Sequence, residues 1–303
     1  MTLTNHRRLI RVMALLMSCF LTFICLGACS GTYLHEDHDH GAEGLISTPE
    51  ELIDYNLTFD GTTCLSDRGG VVAKDGDDIV VIIKSGVYRL TGSFTGQLQV
   101  SVADTAHVTL IMDDLTITAP DSAALYVKNA GCVYVEVPEG KTATLNDAAT
   151  YVYDIPGENK PNACVYAADD ITFRGLGTLN VNANYNNGIS CNNDIVFLSG
   201  HVSVKAKNNG IKGSASVSLL DKAKVTVTGC EDGIKSDGIN PDEGIILMSG
   251  QSAAYISCSD DALQTVFNIT VRDQAKVYYD CEGSIINSDS TSNGPTEALI
   301  PWD

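Results

Sequence analysis

Apolar residues recur along this chain in short alternating runs rather than in helical stripes. Ile195-Val196-Phe197, Val217-Ser218-Leu219, Ile245-Ile246-Leu247 and Ile269-Thr270-Val271 each lead through a Gly- or Asp-containing turn to a second short run, such as Val202-Ser203-Val204 or Val225-Thr226-Val227. Ahead of each first run stands a corner of two polar residues, a small one and an apolar one. These corners are Asn186-Asn187-Gly188-Ile189, Asn208-Asn209-Gly210-Ile211, Glu231-Asp232-Gly233-Ile234 and Asp260-Asp261-Ala262-Leu263. The apolar corner position recurs at Leu98, Leu125, Val165, Ile189, Ile211, Ile234, Leu263 and Ile285, with gaps of 27, 40, 24, 22, 23, 29 and 22 residues. A unit of 22 to 24 residues, made of three short strands and three turns, cannot bury its own apolar side. Stacked at the ~4.8 Å spacing of paired strands, such units bury it against one another. The pattern predicts an all-β fold, a right-handed parallel β-helix of about eight coils over residues 59–288. A leucine-rich repeat would show helical arcs and a propeller would need units of ~40 residues, and neither pattern is present.

The two ends read differently. Arg7, Arg8 and Arg11 precede an uncharged apolar run from Val12 to Leu26, shorter than the ~20 residues of a membrane span and suited to a signal peptide. It ends in Leu26-Gly27-Ala28-Cys29, which looks like a lipobox. Residues 1–28 are therefore expected to be removed and Cys29 lipidated, anchoring a monomer on the extracellular face of the cell membrane. Residues 30–46 form a polar tether in which His35, His38 and His40 alternate with carboxylates, a composition able to chelate zinc or copper but lacking apolar residues to fix a geometry. Thr48-Pro49-Glu50-Glu51 reads as an N-cap with a capping-box glutamate, starting a short helix to about Tyr55 within a capping segment, 47–58. Residues 289–303 are a C-terminal tail.

Charge narrows the partners. The chain carries 38 acidic against 19 basic side chains. Removing Arg7, Arg8 and Arg11 with the leader leaves 16 basic residues and a net charge near −22. Such a surface repels nucleic acid and anionic lipid, so the membrane is met only through the lipid anchor. The seven cysteines that follow Cys29 in the mature chain, an odd number without a CxxC pair, do not make a disulfide framework. Cys230, Cys258 and Cys281 precede successive corners and should stack as an interior ladder of thiols. Two intervals exceed the period, at Asn146–Pro161 with Tyr151, Tyr153 and Pro156, and at Ser236–Glu243 with Asp237. Excess length on a solenoid becomes loops, and both are expected on one flank, beside the Asx-Gly corner.

The runs Ser85-Gly86-Val87-Tyr88-Arg89-Leu90-Thr91-Gly92-Ser93 and Val108-Thr109-Leu110-Ile111-Met112-Asp113-Asp114-Leu115-Thr116-Ile117 are followed by Asn186-Asn187-Gly188-Ile189 and Asp232-Gly233-Ile234-Lys235-Ser236-Asp237. In that order they resemble the bacterial carbohydrate-binding β-helix family, polysaccharide-lyase-like proteins of the cell surface. The resemblance runs from about Phe59 to Ile286. It implies a calcium-containing β-helix that binds plant-type polysaccharides, acidic ones included. Two coils depart from the family pattern. Ile211-Lys212-Gly213 continues as Ser214-Ala215 without the usual acid, and Asp260-Asp261-Ala262-Leu263-Gln264-Thr265-Val266 lacks the usual glycine and glutamate.

The residues make their own case for calcium. Asn187, Asn209, Asp232 and Asp261 share one corner of consecutive coils. Carboxylates stacked ~5 Å apart repel by roughly 3 kcal/mol at an effective dielectric near 20. A hard cation with six to eight oxygen ligands relieves this. Asp169, Asp170, Asn193 and Asp194 should align as a second cluster, and Asp237 should lie near Asp232. The leading function is a non-catalytic polysaccharide binder, with Tyr151, Tyr153, Lys212 and Lys235 as carbohydrate contacts. The runner-up is a calcium-dependent lyase of uronate polymers, with Lys235 or Lys212 as base. A glycosidase using Asp232 and Asp261 and a purely structural solenoid complete the field. A missing aromatic platform weakens the case for neutral glycans, since the sole tryptophan, Trp302, lies at the extreme C-terminus and only Tyr126, Tyr134, Tyr151, Tyr153, Tyr166 and Tyr185 offer aromatic surface.

Overall fold

Where apolar and polar residues alternate, the side chains divide between two sides of an extended backbone, and each such span forms a strand with one side buried. Ile195 and Phe197 of Asp194–Phe197 are buried between half-exposed neighbours, and His201–Lys205, Ile245–Met248 and Asn268–Val271 repeat the pattern. The computed structural model describes residues 47–76, 78–153, 157–240, 242–288 and 298–302. The expected signal peptide (1–28), the Cys29 lipidation site and the tether with His35, His38 and His40 (30–46) lie outside the described residues.

The chain is all-β, with parallel strands in two sheets, one of 17 strands and one of 10 among the described residues. Successive repeats lay their strands on three faces. The first face stacks Asp170–Gly175, Asp194–Phe197, Ser216–Leu219, Ile245–Met248 and Asn268–Val271. The second stacks Thr142–Asn146, Thr178–Asn182, His201–Lys205, Lys224–Cys230, Ala253–Cys258 and Lys276–Cys281. The third, which is the smaller sheet, runs through Leu125–Asn129, Ala163–Ala167, Asn187–Cys191, Ile211–Gly213, Ile234–Ser236, Leu263–Thr265 and Ile286–Ser288. The first two faces form one sheet because Gly86–Thr95 and His107–Thr118 run through both without a break. Asp114 bends that passage at a φ of 51°, a left-handed conformation aspartate tolerates better than most residues.

The core is a set of columns running from rung to rung. Leu98, Leu125, Val165, Ile189, Ile211, Ile234 and Leu263 pair in parallel register and are fully buried. The last member is Ile286, not Ile285. The turn after Cys281 repeats the five-residue step from Cys258 to Leu263, so Ile285 takes the place of Ala262 and its carbonyl accepts from Leu263. Cys230, Cys258 and Cys281 stack as expected and all three are free thiols. Burial pushes the Cys230 thiol up to about 11 and Cys258 up to about 12.

The N-terminal expectation needs correcting. Glu50–Leu52 is one 3₁₀ turn with no side-chain cap. Thr48 instead donates its backbone N–H and its hydroxyl, both at 2.7 Å, to Glu136. Glu136 is 1% exposed and also meets Arg174 at 3.0 Å. A buried carboxylate without donors is costly, and Thr48 is used there rather than to cap a helix. Pairing also begins inside the supposed capping segment, since Tyr55–Gly61 lies parallel to Tyr88–Phe94. At the other end Leu299–Pro301, within the supposed tail, pairs with Val277–Tyr279.

Candidate functional site

The outward side of the third face carries one column of side chains, one per rung. It reads Tyr126, Tyr166, Ser190, Lys212, Lys235, Gln264 and Asn287. The two long inserts border this column from opposite edges, not from one flank. The first, 147–162, connects the second face to the third, whereas 237–244 follows Ile234–Ser236 and connects the third face to the first. The excess in the second case falls after the short strand, which moves it across the face.

The first insert roofs the upper half of the column. Lys160 places its amine 4.8 Å over the Tyr166 ring, and Tyr166, whose hydroxyl donates to Asn192, is 2% exposed. The tyrosines expected to contact carbohydrate fasten this insert instead. Tyr151 stacks on Tyr185 at 4.2 Å and donates to Asp147 at 2.7 Å, while Tyr153 donates to the Pro161 carbonyl at 2.8 Å. Burial raises the Asp147 carboxyl against the hydrogen bonds from Asn184 and Tyr151. Burial and the neighbouring Lys212 depress the Lys160 amine. Below the roof the column is open, with Lys212, Lys235 and Gln264 half-exposed and Asn287 exposed.

Carboxylates line both edges of this open strip. On the edge where the chain enters the face, Asn187, Asn209, Asp232 and Asp261 occupy one register position, each two residues ahead of the buried corner residue. Asn209 donates to Asn187 Oδ1 at 2.8 Å. Asp261 accepts from the Ser284 N–H at 2.7 Å, from Gln264 at 2.9 Å and from Asn287. Burial alone would raise its carboxyl, but these donors hold it below the usual range. Asp232 accepts from Lys235 at 3.0 Å through Oδ2, while its Oδ1 and the Asn209 Oδ1 are buried without a partner among the described residues. Oxygens of Asp232, Asp260 and Asp261 lie within 4.8 Å of one another. Asp260 was not singled out in the sequence, although the Asp260-Asp261 pair was visible there.

The other edge carries Asp169, Asp170, Asn193 and Asp194. Asp170 accepts from Asn193 Nδ2 at 2.5 Å and from the Asp194 N–H, so the two aspartates sit on adjacent rungs. Burial, then the Asp194 charge, pushes Asp170 up to about 6. Burial also raises Asp194, which accepts from Ser216 at 2.6 Å. Asp237 belongs to this edge and pairs with Lys212 at 2.7 Å, away from Asp232 with which it was expected. The three-residue strand Ile234–Ser236 separates the two aspartates across the face. Trp302 lies against the second face rather than the strip. It meets Tyr255 edge-on at 5.7 Å, and Tyr255 stacks on Tyr278 at 4.5 Å on the second face. Strand pairing of the last residues, invisible to a local reading, brings it there.

The stacked, all-β frame thus carries an elongated polar strip bordered by acids. The chain belongs to the family of carbohydrate-binding domain-containing proteins, whose model matches residues 76–298. A carbohydrate-binding domain-containing protein of Acetivibrio thermocellus is 43% identical over 128 residues, 42% of this chain and 45% of the relative. The match thus spans under half of that relative's length. The fold is polysaccharide lyase-like. A gadolinium derivative of the polysaccharide lyase-like protein from C. thermocellum superposes with a TM-score of 0.79 at 33% identity, covering 82% of this chain and 100% of that one.

Proposed function

We propose that this chain is a non-catalytic polysaccharide-binding lipoprotein of the cell surface, a monomer built as a right-handed parallel β-helix and braced by calcium. The carrying observation is the open strip Lys212–Lys235–Gln264–Asn287. Its rung spacing of ~4.8 Å is close to the repeat of an extended sugar chain. Two cations followed by two amides suit an acidic glycan, the amides serving hydroxyl groups and the ammoniums uronate carboxylates. In-register pairing of all three faces supports the β-helix, and the lipobox supports anchoring through Cys29.

Calcium is proposed at Asp232, Asp260 and Asp261. The donor set is all oxygen, the separation of up to 4.8 Å suits one ion with ligands at ~2.3–2.6 Å, and a buried Asp232 oxygen has no hydrogen-bond donor. The solved relative is a gadolinium derivative, and gadolinium is likewise a hard, oxygen-seeking cation. Asp170 and Asp194 are a second, weaker candidate, since neighbouring donors already serve both. One observation favours a lyase as the second reading. Lys160, bordering the strip, is the lysine whose amine burial depresses, as a proton-abstracting base requires.

The test is retention on immobilised polygalacturonate, with absorbance of unsaturated products followed in parallel. Lys212→Ala with Lys235→Ala should weaken retention at least tenfold while leaving the melting temperature within a few degrees. Unchanged retention removes the strip from the binding surface. Release of unsaturated sugars that is lost in Lys160→Ala establishes the lyase instead. At a hundredfold excess over Kd calcium contributes about 2.7 kcal/mol, so chelation should lower Tm by roughly 5–10 °C.

A further inference from the structure

The corner column and the strip column are coupled by a spacing that repeats in every rung. Each corner residue is followed three positions later by a strip residue, giving Asn187 with Ser190, Asn209 with Lys212, Asp232 with Lys235, and Asp261 with Gln264. Where the corner is acidic, the strip residue reaches back to it. Gln264 Nε2 donates to Asp261 Oδ2 at 2.9 Å, and Lys235 Nζ donates to Asp232 Oδ2 at 3.0 Å. The two corners are not equally served. Among the described residues Asp261 has three donors, whereas Asp232, 7% exposed, has Lys235 and keeps Oδ1 buried without a partner. Asn209 Oδ1, on the next rung, is also buried and unpartnered. Lys235 thus meets one member of a group of three carboxylates whose oxygens lie within 4.8 Å of one another.

We infer that Lys235 is the coupling residue of this surface. It is held to Asp232 while the carboxylates lack a divalent cation and is released to the strip when they bind one, so that cation and acidic glycan bind with positive cooperativity. The inference rests on the calcium and acidic-glycan reading above. An ammonium contributes one charge and one hydrogen bond to Asp232. A divalent cation engages carboxylates from several residues at once and repels the ammonium beside them. The freed Lys235 side chain then lies one rung from Lys212, which Asp237 holds at 2.7 Å. Two ammoniums on adjacent rungs repel each other, and a uronate carboxylate between them relieves that repulsion. Linkage is reciprocal, so a glycan that draws Lys235 off Asp232 raises cation affinity by the same factor by which the cation raises glycan affinity.

The test uses the full chain, with calcium affinity measured by competition against a chromophoric chelator and trigalacturonate affinity by calorimetry, each with and without the other ligand at constant ionic strength. The trimer is too short to gel with calcium. Each ligand should tighten the other about tenfold in the unmodified protein. Lys235→Gln should bind calcium more tightly on its own, because its competitor is gone, and the coupling factor should fall to near one. Lys212→Gln should weaken the trimer yet keep the coupling. Independent binding of both ligands to the unmodified protein overturns the inference and leaves the proposed function standing. So does full coupling in Lys235→Gln. Absence of calcium binding, or of trimer binding, overturns the corresponding part of the proposed function and the inference with it.

Discussion

At the scale of single residues, the acidic positions divide by what surrounds them. Asp261 is held charged by three donors, whereas Asp170 is pushed up to about 6 by burial and by Asp194. The sign follows. A carboxyl whose folded-state value lies above its unfolded one costs stability when ionised, fully so above pH ~6, and the cost fades as pH falls toward ~4. In chelator, Asp170→Asn should therefore melt higher than the unmodified protein at pH 7.5, and the gap should close near pH 4.5. Equal melting temperatures at both pH values would show that Asp170 carries no such penalty. The corner glycines are fixed by a different constraint. A Cβ on Gly233 would stand 2.5 Å from the Ala262 carbonyl oxygen and 2.4 Å from Ile256 Cγ2, so the Asx-Gly signature records close rung-to-rung approach rather than only a turn preference.

At the scale of elements, each interior column is a chain of contacts in which every member is packed from above and below. Ile211, fully buried between Ile189 and Ile234, should cost ~2–5 kcal/mol when truncated to alanine, read as a shift in the urea midpoint. A cost below ~1 kcal/mol would mean that the column is not close-packed there. The first insert has a different dependence, because tyrosine contacts hold it to the body alongside a few backbone hydrogen bonds, from Ala148 to Ser122 and from Val152 to Asp121. Tyr151→Ala removes the Tyr185 stack and the Asp147 hydrogen bond together. The expected result is faster hydrogen exchange over 147–161 and greater exposure of Tyr166, with little change in exchange of the second-face strands. Unchanged exchange in the insert would show that other contacts suffice to hold it.

At the scale of the molecule, a strongly acidic chain carries a small basic strip flanked by acids. Lys160, Lys212 and Lys235 gather where two inserts approach a single face. A long glycan lying along the stack would meet these cations and be kept off the acidic remainder, which gives orientation as well as affinity. Anchoring belongs to this scale too. Cys29→Ala should shift the protein from the membrane fraction to the soluble one or leave an unprocessed precursor, as read by fractionation and intact mass. Unchanged partitioning and processing would remove the lipid anchor from the proposed function.

The sequence by itself determined the repeat. Period-two alternation within strands and the 22-to-24-residue period between them mark which residues face inward, and the Ile189, Ile211, Ile234, Leu263 column followed directly. It also exposed the corner acids, the thiol ladder and the two lysines, because residues at equal offsets in a stacked repeat must be neighbours. What it could not supply were contacts between positions with no common offset. Thr48 meets Glu136 across 88 residues, Trp302 reaches Tyr255 through a late strand, and Lys160 comes to Lys212 from a loop. Nor could it assign the inserts to edges, since a three-residue strand leaves little to show on which side of a face the extra length falls. Those placements depend on how turns and loops close in space, and only the tertiary structure decided them.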